Sequence, residues 1–169
     1  MNDAPRVILV PFTKAHLELT FQWVRDPELR RLFLMRGEPT WDKHKAYFEN
    51  VLNDRTQRVC AVLCEGRHVG NGGIKNIISG REEVELWVYV GASSMRGKGI
   101  GGYATTLLIQ TAFMDMNMRA VYIHVAAFNH AALKMYAGVG FSVVSGQDIP
   151  EEWHDRQHEI VRMRLQRTL

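Results

Sequence analysis

Hydrophobic positions change period twice along the chain. "RVILV" (6–10) is a continuous apolar run closed by Pro11 and predicts a first strand. From Thr13 a helical spacing takes over in "KAHLELTFQWVRD", and Pro27 restarts a shorter helix through Leu32. Thr40 is a second N-cap, opening "WDKHKAYFENVLND", where Trp41, Tyr47, Phe48, Val51 and Leu52 can share one broad face. The pattern then becomes strand-like in "QRVCAVLCE", "HVGNGGIKNII" and "EEVELWVYV". The intervening "GR" and "SGRE" are turn signals, so these three runs predict an antiparallel meander. The remainder alternates: helix 99–118, strand "AVYIHVAAF", helix 130–137, strand "FSVVS" and a last strand "HEIVRMRLQ". Helices between strands after an antiparallel first half predict a mixed α/β sheet.

Composition narrows this picture only modestly. The 169 residues are 46% hydrophobic and 23% charged, with no low-complexity tract, linker or repeat, so a single domain over 1–169 is expected. A net charge of +3 suits an anionic small ligand, but the cations are scattered, and no nucleic-acid partner is expected. No apolar run approaches the ~20 residues of a membrane span. The first ten residues lack a leader pattern, and a cytoplasmic location is expected. Cys60 and Cys64 on one strand would stand roughly 13 Å apart, beyond the reach of a disulfide. No finger-like spacing surrounds them, so free thiols and no metal are expected.

The segment that carries chemistry is "SSMRGKGIGGYATTLLIQTAF" (93–113). Glycines between a strand and a helix expose backbone N–H groups at a helix N-terminus, an anion site by orphan donors and macrodipole together. Three phosphate patterns compete. Gly97, Gly99 and Gly102 fit the dinucleotide fingerprint G-x-G-x-x-G, but the following strand ends "AAFNH" without the acid that a ribose requires. A Walker loop fails because Lys98 is followed by Gly99. The third, R/Q-x-x-G-x-G/A, is matched at every fixed position by Arg96, Gly97, Lys98, Gly99, Ile100 and Gly101.

With these surroundings the chain resembles the GNAT superfamily of acyl-CoA-dependent N-acyltransferases. "VELWVYVGASSMRGKGIGGYATTLL" and "IHVAAFNHAALKMYAGVGF" carry the resemblance, in the family's order and at about its spacing. The resemblance implies a central mixed sheet of six to seven strands flanked by helices, its parallel strands splayed at an acetyl-CoA site. It further implies acetyl transfer from acetyl-CoA, a co-substrate, to a primary amine. The backbone of Val88, Tyr89 and Val90 would then pair with the pantetheine amides, and the amides of residues 97–101 with Arg96 would hold the pyrophosphate. Asn129 would cap a helix and touch the pantetheine arm. Tyr136 matches the family tyrosine that protonates the leaving thiolate, and a phenol of pKa ~10 holds its proton at neutral pH. Gly138 stands where the family usually has a better helix former, at a cost of roughly 1 kcal/mol.

Alternation along "EEVELWVYV" places Val84, Leu86, Val88 and Val90 on one face and Glu83, Glu85, Trp87 and Tyr89 on the other. The resemblance implies a general base on this strand, acting directly or through a water; Glu85 is the expected residue, with Glu83 behind it and His124 as a rival on the next strand. Glu83, Trp87 and His124 are assigned to the acceptor cleft. The 21–54 stretch resembles GNAT members that acetylate amino groups on nucleotide-linked sugars, with Thr40, His44, Tyr47 and Phe48 forming the helix start. Enzymes acting on ribosomal-protein N-termini are a second resemblance and polyamine acetyltransferases a more distant one. Residues 28–48 lack an acidic surplus, and Arg25, Arg30, Arg31 and Arg36 suit a diphosphate-bearing acceptor better than a polycation. A nucleotide sugar is therefore expected first, with Arg36 and His44 as binding residues. A homodimer is an allowed assembly, and a non-catalytic acyl-CoA sensor is the alternative outside enzymes.

Overall fold

The computed structural model describes residues 5–145 and 157–168. Seven strands form one sheet: β1 Val7–Pro11, β2 Arg58–Cys64, β3 Arg67–Lys75, β4 Glu83–Val90, β5 Ala120–Ala126, β6 Ser142–Val143 and β7 Ile160–Gln166. Their spatial order is β1-β2-β3-β4-β5-β7-β6. The β1–β4 meander is antiparallel throughout, and β4–β5 is the parallel pair. The β2–β3 hairpin turns on Glu65 and Gly66, with φ of 49° and 76°. Positive φ at both central residues is the demand of a tight hairpin turn, which the glycine meets without strain.

Among the described residues five α-helices cover the sheet: α1 Leu17–Val24, α2 Pro27–Leu32, α3 Trp41–Asn53, α4 Ile100–Gln110 and α5 His130–Val139. Asp26 caps α2 by accepting from Glu28 N at 2.9 Å, and Pro27 supplies the preset φ of a first helical residue. Thr40 caps α3 by accepting from Lys43 N. The single helix expected over 99–118 is α-helical only to Gln110; residues Thr111–Asp115 widen into a π turn, closed by Met116 N donating to Thr111 O. The strand expected over 141–145 contracts to two paired residues. Both cysteines are free thiols.

Alternation on β4 sorts the layers. Val84, Leu86 and Val88 pack with Val121, Ile123 and Val125 of β5 under Ile100, Ala104 and Leu108 of α4. On the opposite face Tyr89 meets Trp23 and Leu29, bringing α1 and α2 onto the sheet. Gly91 permits that approach, since a Cβ there would lie 2.1 Å from the Trp23 ring. A buried amide fastens the same layer. Asn71 donates to Thr20 Oγ1 and to the Tyr89 hydroxyl, and accepts from His68 Nε2, all within 2.9 Å. Each such buried polar group left unpaired would cost about 1–3 kcal/mol. No helix among the described residues is long and apolar enough to cross a membrane.

His44, assigned to the acceptor cleft by its spacing from Thr40, is instead a core residue of α3. Its Nε2 donates to Leu17 O at 2.9 Å, and Phe21, Trp41 and Phe48 pack around the ring. Burial holds its imidazole below the ordinary histidine range, so the folded protein keeps it neutral. The unfolded chain binds a proton below about pH 6.5, and the folded chain resists it. The stability His44 contributes is therefore complete above that pH and is lost as pH falls through its lower folded pKa. His44→Gln should cost roughly 1–2 kcal/mol near neutrality. The gap from wild type should narrow as denaturant unfolding is repeated from pH 7.5 down to pH 5.

Candidate active site

β4 and β5 are paired only at Glu83–Ala120, Val84–Val121 and Glu85–Tyr122. Beyond that point the strands separate. Val88, Tyr89 and Val90 on one side and His124, Val125 and Ala126 on the other line a cavity of about 340 Å³. Further wall comes from α2 and its C-cap, through Leu29, Leu32 and Phe33, and from α5, through Met135 and Tyr136. None of these α2 side chains was singled out by sequence reasoning, because an apolar wall residue has no signature apart from core periodicity.

One end of the cavity is the glycine loop. Gly97 and Gly99 have φ of 74° and 79°, and Gly99 is the N-cap of α4 with no side chain to satisfy the first N–H groups. The first intrahelical bond is Tyr103 N to Gly99 O, so the amides of residues 100–102 have no partner within the helix. Gly97, Gly99, Ile100 and Gly101 all line the cavity, whereas Lys98 does not; its Nζ lies 3.9 Å from Met95 Sδ.

Arg96, expected to hold pyrophosphate, has its guanidinium committed elsewhere. Nε donates to Val90 O, one terminal nitrogen to Gly91 O and Asp26 Oδ2, and the other to Glu28 Oε2, at 2.9–3.4 Å. The charged hydrogen bond from Arg96 holds the Asp26 carboxyl below the usual carboxylate range. Arg96 thus ties the loop to the end of β4 and to the start of α2. Asn129 caps α5 through Ala132 N at 3.2 Å and also lines the cavity.

At the fork between the strands sits Glu85, 3% exposed. Its Oε1 lies 3.0 Å from His124 Nδ1 and 3.3 Å from Lys75 Nζ, and its Oε2 accepts from Asn76 Nδ2 at 3.0 Å. Asn76 also donates to the Tyr122 hydroxyl at 2.8 Å. Lys75, Asn76 and Tyr122 were missed by sequence reasoning. The available signal was alternation along "VYIHV", which puts Tyr122 and His124 on the Glu85 side of the sheet. Glu83, expected on the acceptor cleft, instead binds Arg162 at 3.2 Å and Arg164 at 3.0 Å across β5. Trp87, also expected there, is packed with Tyr89 at 6.0 Å between the two helical layers. Of the candidate bases only His124 lines the cavity, with Glu85 directly behind it.

Tyr136 lines the cavity from α5, packed edge-on to Phe141 at 5.7 Å. Burial pushes its phenol well above the usual tyrosine range, which keeps the proton on oxygen. No cluster of three or more histidine, cysteine or carboxylate side chains suited to a metal occurs among the described residues. The glycine loop gives the sharpest test. In Gly99→Val, a side chain must adopt a left-handed φ at a cost of about 1–2 kcal/mol and stand where an anion would approach the amides. The KM for acetyl-CoA should rise roughly tenfold or more, with a smaller effect on kcat, in steady-state kinetics on a variant of native circular dichroism.

The acetyltransferase (GNAT) domain family matches residues 6–142. The N-acetyltransferase 9-like protein of Caenorhabditis briggsae is 26% identical over 155 residues, covering 84% of this chain and 77% of that protein. Spermidine N(1)-acetyltransferase of Escherichia coli K12 is 22% identical over 143 residues, covering 85% and 76%. The crystal structure of spermidine N-acetyltransferase from Vibrio cholerae with CoA and spermine aligns at a TM-score of 0.81, with 18% identity and 95% of each chain covered. A Methanocaldococcus jannaschii domain aligns at 0.79, with 17% identity and 96% and 99% covered. Both alignments are likeness of fold. The family match spans most of the sheet and the whole cavity, so the chain belongs to the GNAT acetyltransferase family and is an acetyl-CoA-dependent N-acetyltransferase.

Proposed function

We propose that the enzyme acetylates a primary amine on an anionic acceptor, a nucleotide-linked amino sugar, with Glu85, His124 and Tyr136 moving the protons. The observation that carries the acceptor reading is the cavity wall. Among the described residues it presents no carboxylate, and its ionisable groups are Arg96, His124, Tyr89 and Tyr136. A polycation would meet no opposite charge there. The glycine loop fits a pyrophosphate: orphan amides face the cavity, and two left-handed glycines leave the backbone open to close approach. Residues 97–101 would hold that group, and the backbone of Val88–Val90, left open where β5 departs, would hold the pantetheine amides. Asn129 would add its side chain beside them.

Acetyl-CoA supplies an activated acetyl thioester. An alkyl ammonium, of pKa near ~10, must lose a proton before it can attack. His124 faces the cavity and donates through Nδ1 to Glu85, so the buried carboxylate reaches the amine through the ring. Lys75 and Asn76 hold the carboxylate in place from β3 and the turn that follows. Tyr136, kept protonated by burial, gives its proton to the departing sulfur.

A polyamine acceptor is the second reading. It is favoured by the spermidine acetyltransferases among the relatives and solved structures. Thiol release measured across UDP-, GDP- and dTDP-linked amino sugars, polyamines and peptide N-termini separates the two. The highest kcat/KM should fall on a nucleotide sugar; a best acceptor without phosphate overturns the first reading.

Tyr136→Phe should lower kcat by roughly 10²-fold while leaving acetyl-CoA affinity unchanged. Near-normal turnover, with chemistry shown to be rate-limiting, would leave Tyr136 a packing residue. Glu85→Gln should reduce kcat/KM most at low pH, where free amine is scarce, and the deficit should shrink as pH rises. A profile parallel to wild type would remove the Glu85–His124 pair from the proton path.

A further inference from the structure

Two ladders end at Glu85. The β3–β4 pairing stops at Lys75–Glu85, and the β4–β5 pairing stops at Glu85–Tyr122. Asn76, the next residue after β3, leaves the strand direction at once, with φ of 60°. Ile77 N donates to Thr56 O at 2.8 Å and fastens the chain just beyond that bend. The Asn76 amide reaches back to the fork: Nδ2 donates to Glu85 Oε2 at 3.0 Å and to the Tyr122 hydroxyl at 2.8 Å. Both hydrogens of one nitrogen are thus spent on the two members of the last rung before β4 and β5 part. Because a carboxylate accepts, the amide must present its nitrogen there and not its oxygen.

The bend alone would explain an asparagine, which tolerates a left-handed φ better than most residues. Asn117, at φ of 54°, is such a residue; its side-chain oxygen accepts from Arg167 at the exposed surface. The bend does not explain two contacts at the fork. Nor do the ionisable groups around Glu85 orient its carboxylate by themselves. Lys75 Nζ from β3 and His124 Nδ1 from β5 both lie against Oε1, at 3.3 and 3.0 Å. Burial raises the Tyr122 phenol above the usual tyrosine range, so it keeps its proton. Glu83 is drawn toward Arg162 and Arg164 on β7, and Arg162 lies over the Tyr122 ring at 4.0 Å. With Lys75 and His124 on Oε1, the plane of the carboxylate is set by the group on Oε2, which is Asn76. The last torsion of a glutamate has no sharp well of its own, so that plane depends on such a partner.

We propose that Asn76 is a positioning residue for acetyl transfer: by locking the Glu85 carboxylate to the last rung of the fork, it keeps Oε1 directed at His124. This rests on the reading of Glu85 and His124 as the proton path. Asn76 touches neither substrate nor cofactor and acts through Glu85, whose partner His124 faces the cavity. Without the amide, the carboxylate turns about its last torsion and the imidazole loses a fixed acceptor for Nδ1.

Asn76→Gly suits the bend and removes the amide. Its kinetics are followed by thiol release from acetyl-CoA with the best amine of the acceptor screen. At low pH kcat/KM should fall roughly tenfold, a part of what a general base supplies, and it should recover as pH rises. The KM for acetyl-CoA should not change. Glu85→Gln should show the same pH dependence more strongly, and adding Asn76→Gly to it should cause no further loss. Asn117→Gly makes the same exchange at a left-handed residue away from the site and should leave the profile unchanged. A loss equal at every pH, or one that persists in the Glu85→Gln background, overturns the positioning role and leaves Asn76 a strand-end residue. Should Asn76→Gly not fold, Asn76→Asp keeps the shape and sets an acceptor against Oε2. Two carboxylates so placed share a proton, and the acidic limb of kcat/KM should move up by about one pH unit or more. An unmoved limb overturns the role. A Glu85→Gln profile parallel to wild type overturns the proton path itself, whereas an altered one beside an Asn76→Gly profile like wild type overturns Asn76 alone.

Discussion

The parting of β4 and β5 is the constraint on which the rest of the site depends. A parallel pair that continued would seal its backbone groups in a ladder and leave no space between the strands. Here the ladder stops at Glu85 and Tyr122, and the side chains at that apex are polar and buried. A buried carboxylate is tolerable only when its oxygens are satisfied, and Glu85 has Lys75, Asn76 and His124 around it. The apex is therefore held by charge and hydrogen bonds where the flanking strands are held by apolar packing. The cavity and the unpaired strand backbone that lines it both follow from that one stop in pairing.

Two faces of one strand then divide the labour. Val84, Leu86 and Val88 anchor β4 to α4, whose N-terminus presents the loop amides. Glu85, Trp87 and Tyr89 look the other way, and the two aromatic rings pack toward α1, α2 and α3. A side chain moved by one register would exchange the roles of the two faces, which is why alternation is so informative at this strand.

That informativeness was uneven along the chain. The meander, the loop and the α3 cap were legible because each is written locally, in alternation, in glycine spacing and in a threonine before a helical run. The sheet's splayed pair was implied by resemblance to a family, not by any property of "VELWVYV" taken alone. What local pattern could not supply was partnership across distance. Arg96 reads as a phosphate ligand by motif, yet its partners Asp26 and Glu28 lie about seventy positions earlier. His44 has the spacing of a binding residue, but the carbonyl it reaches belongs to α1. Glu83 and Glu85 look equivalent on one strand face; only the arrival of Arg162 and Arg164 on β7 removes Glu83 from the cavity.

The Arg96 contacts have a consequence for how such a protein can diverge. The glycine loop forms one end of the cavity, and α2 forms part of its wall. One guanidinium joins them, reaching Asp26 and Glu28 from the loop. A variant that remodels α2 would have to keep its two opening carboxylates or exchange them together with Arg96. A segment transplanted between relatives would carry this dependency invisibly: the graft would match in length and hydrophobic pattern and still leave a half-buried cation facing only carbonyls. A change at the start of α2 is thus felt at the glycine loop, about seventy positions away, through one side chain.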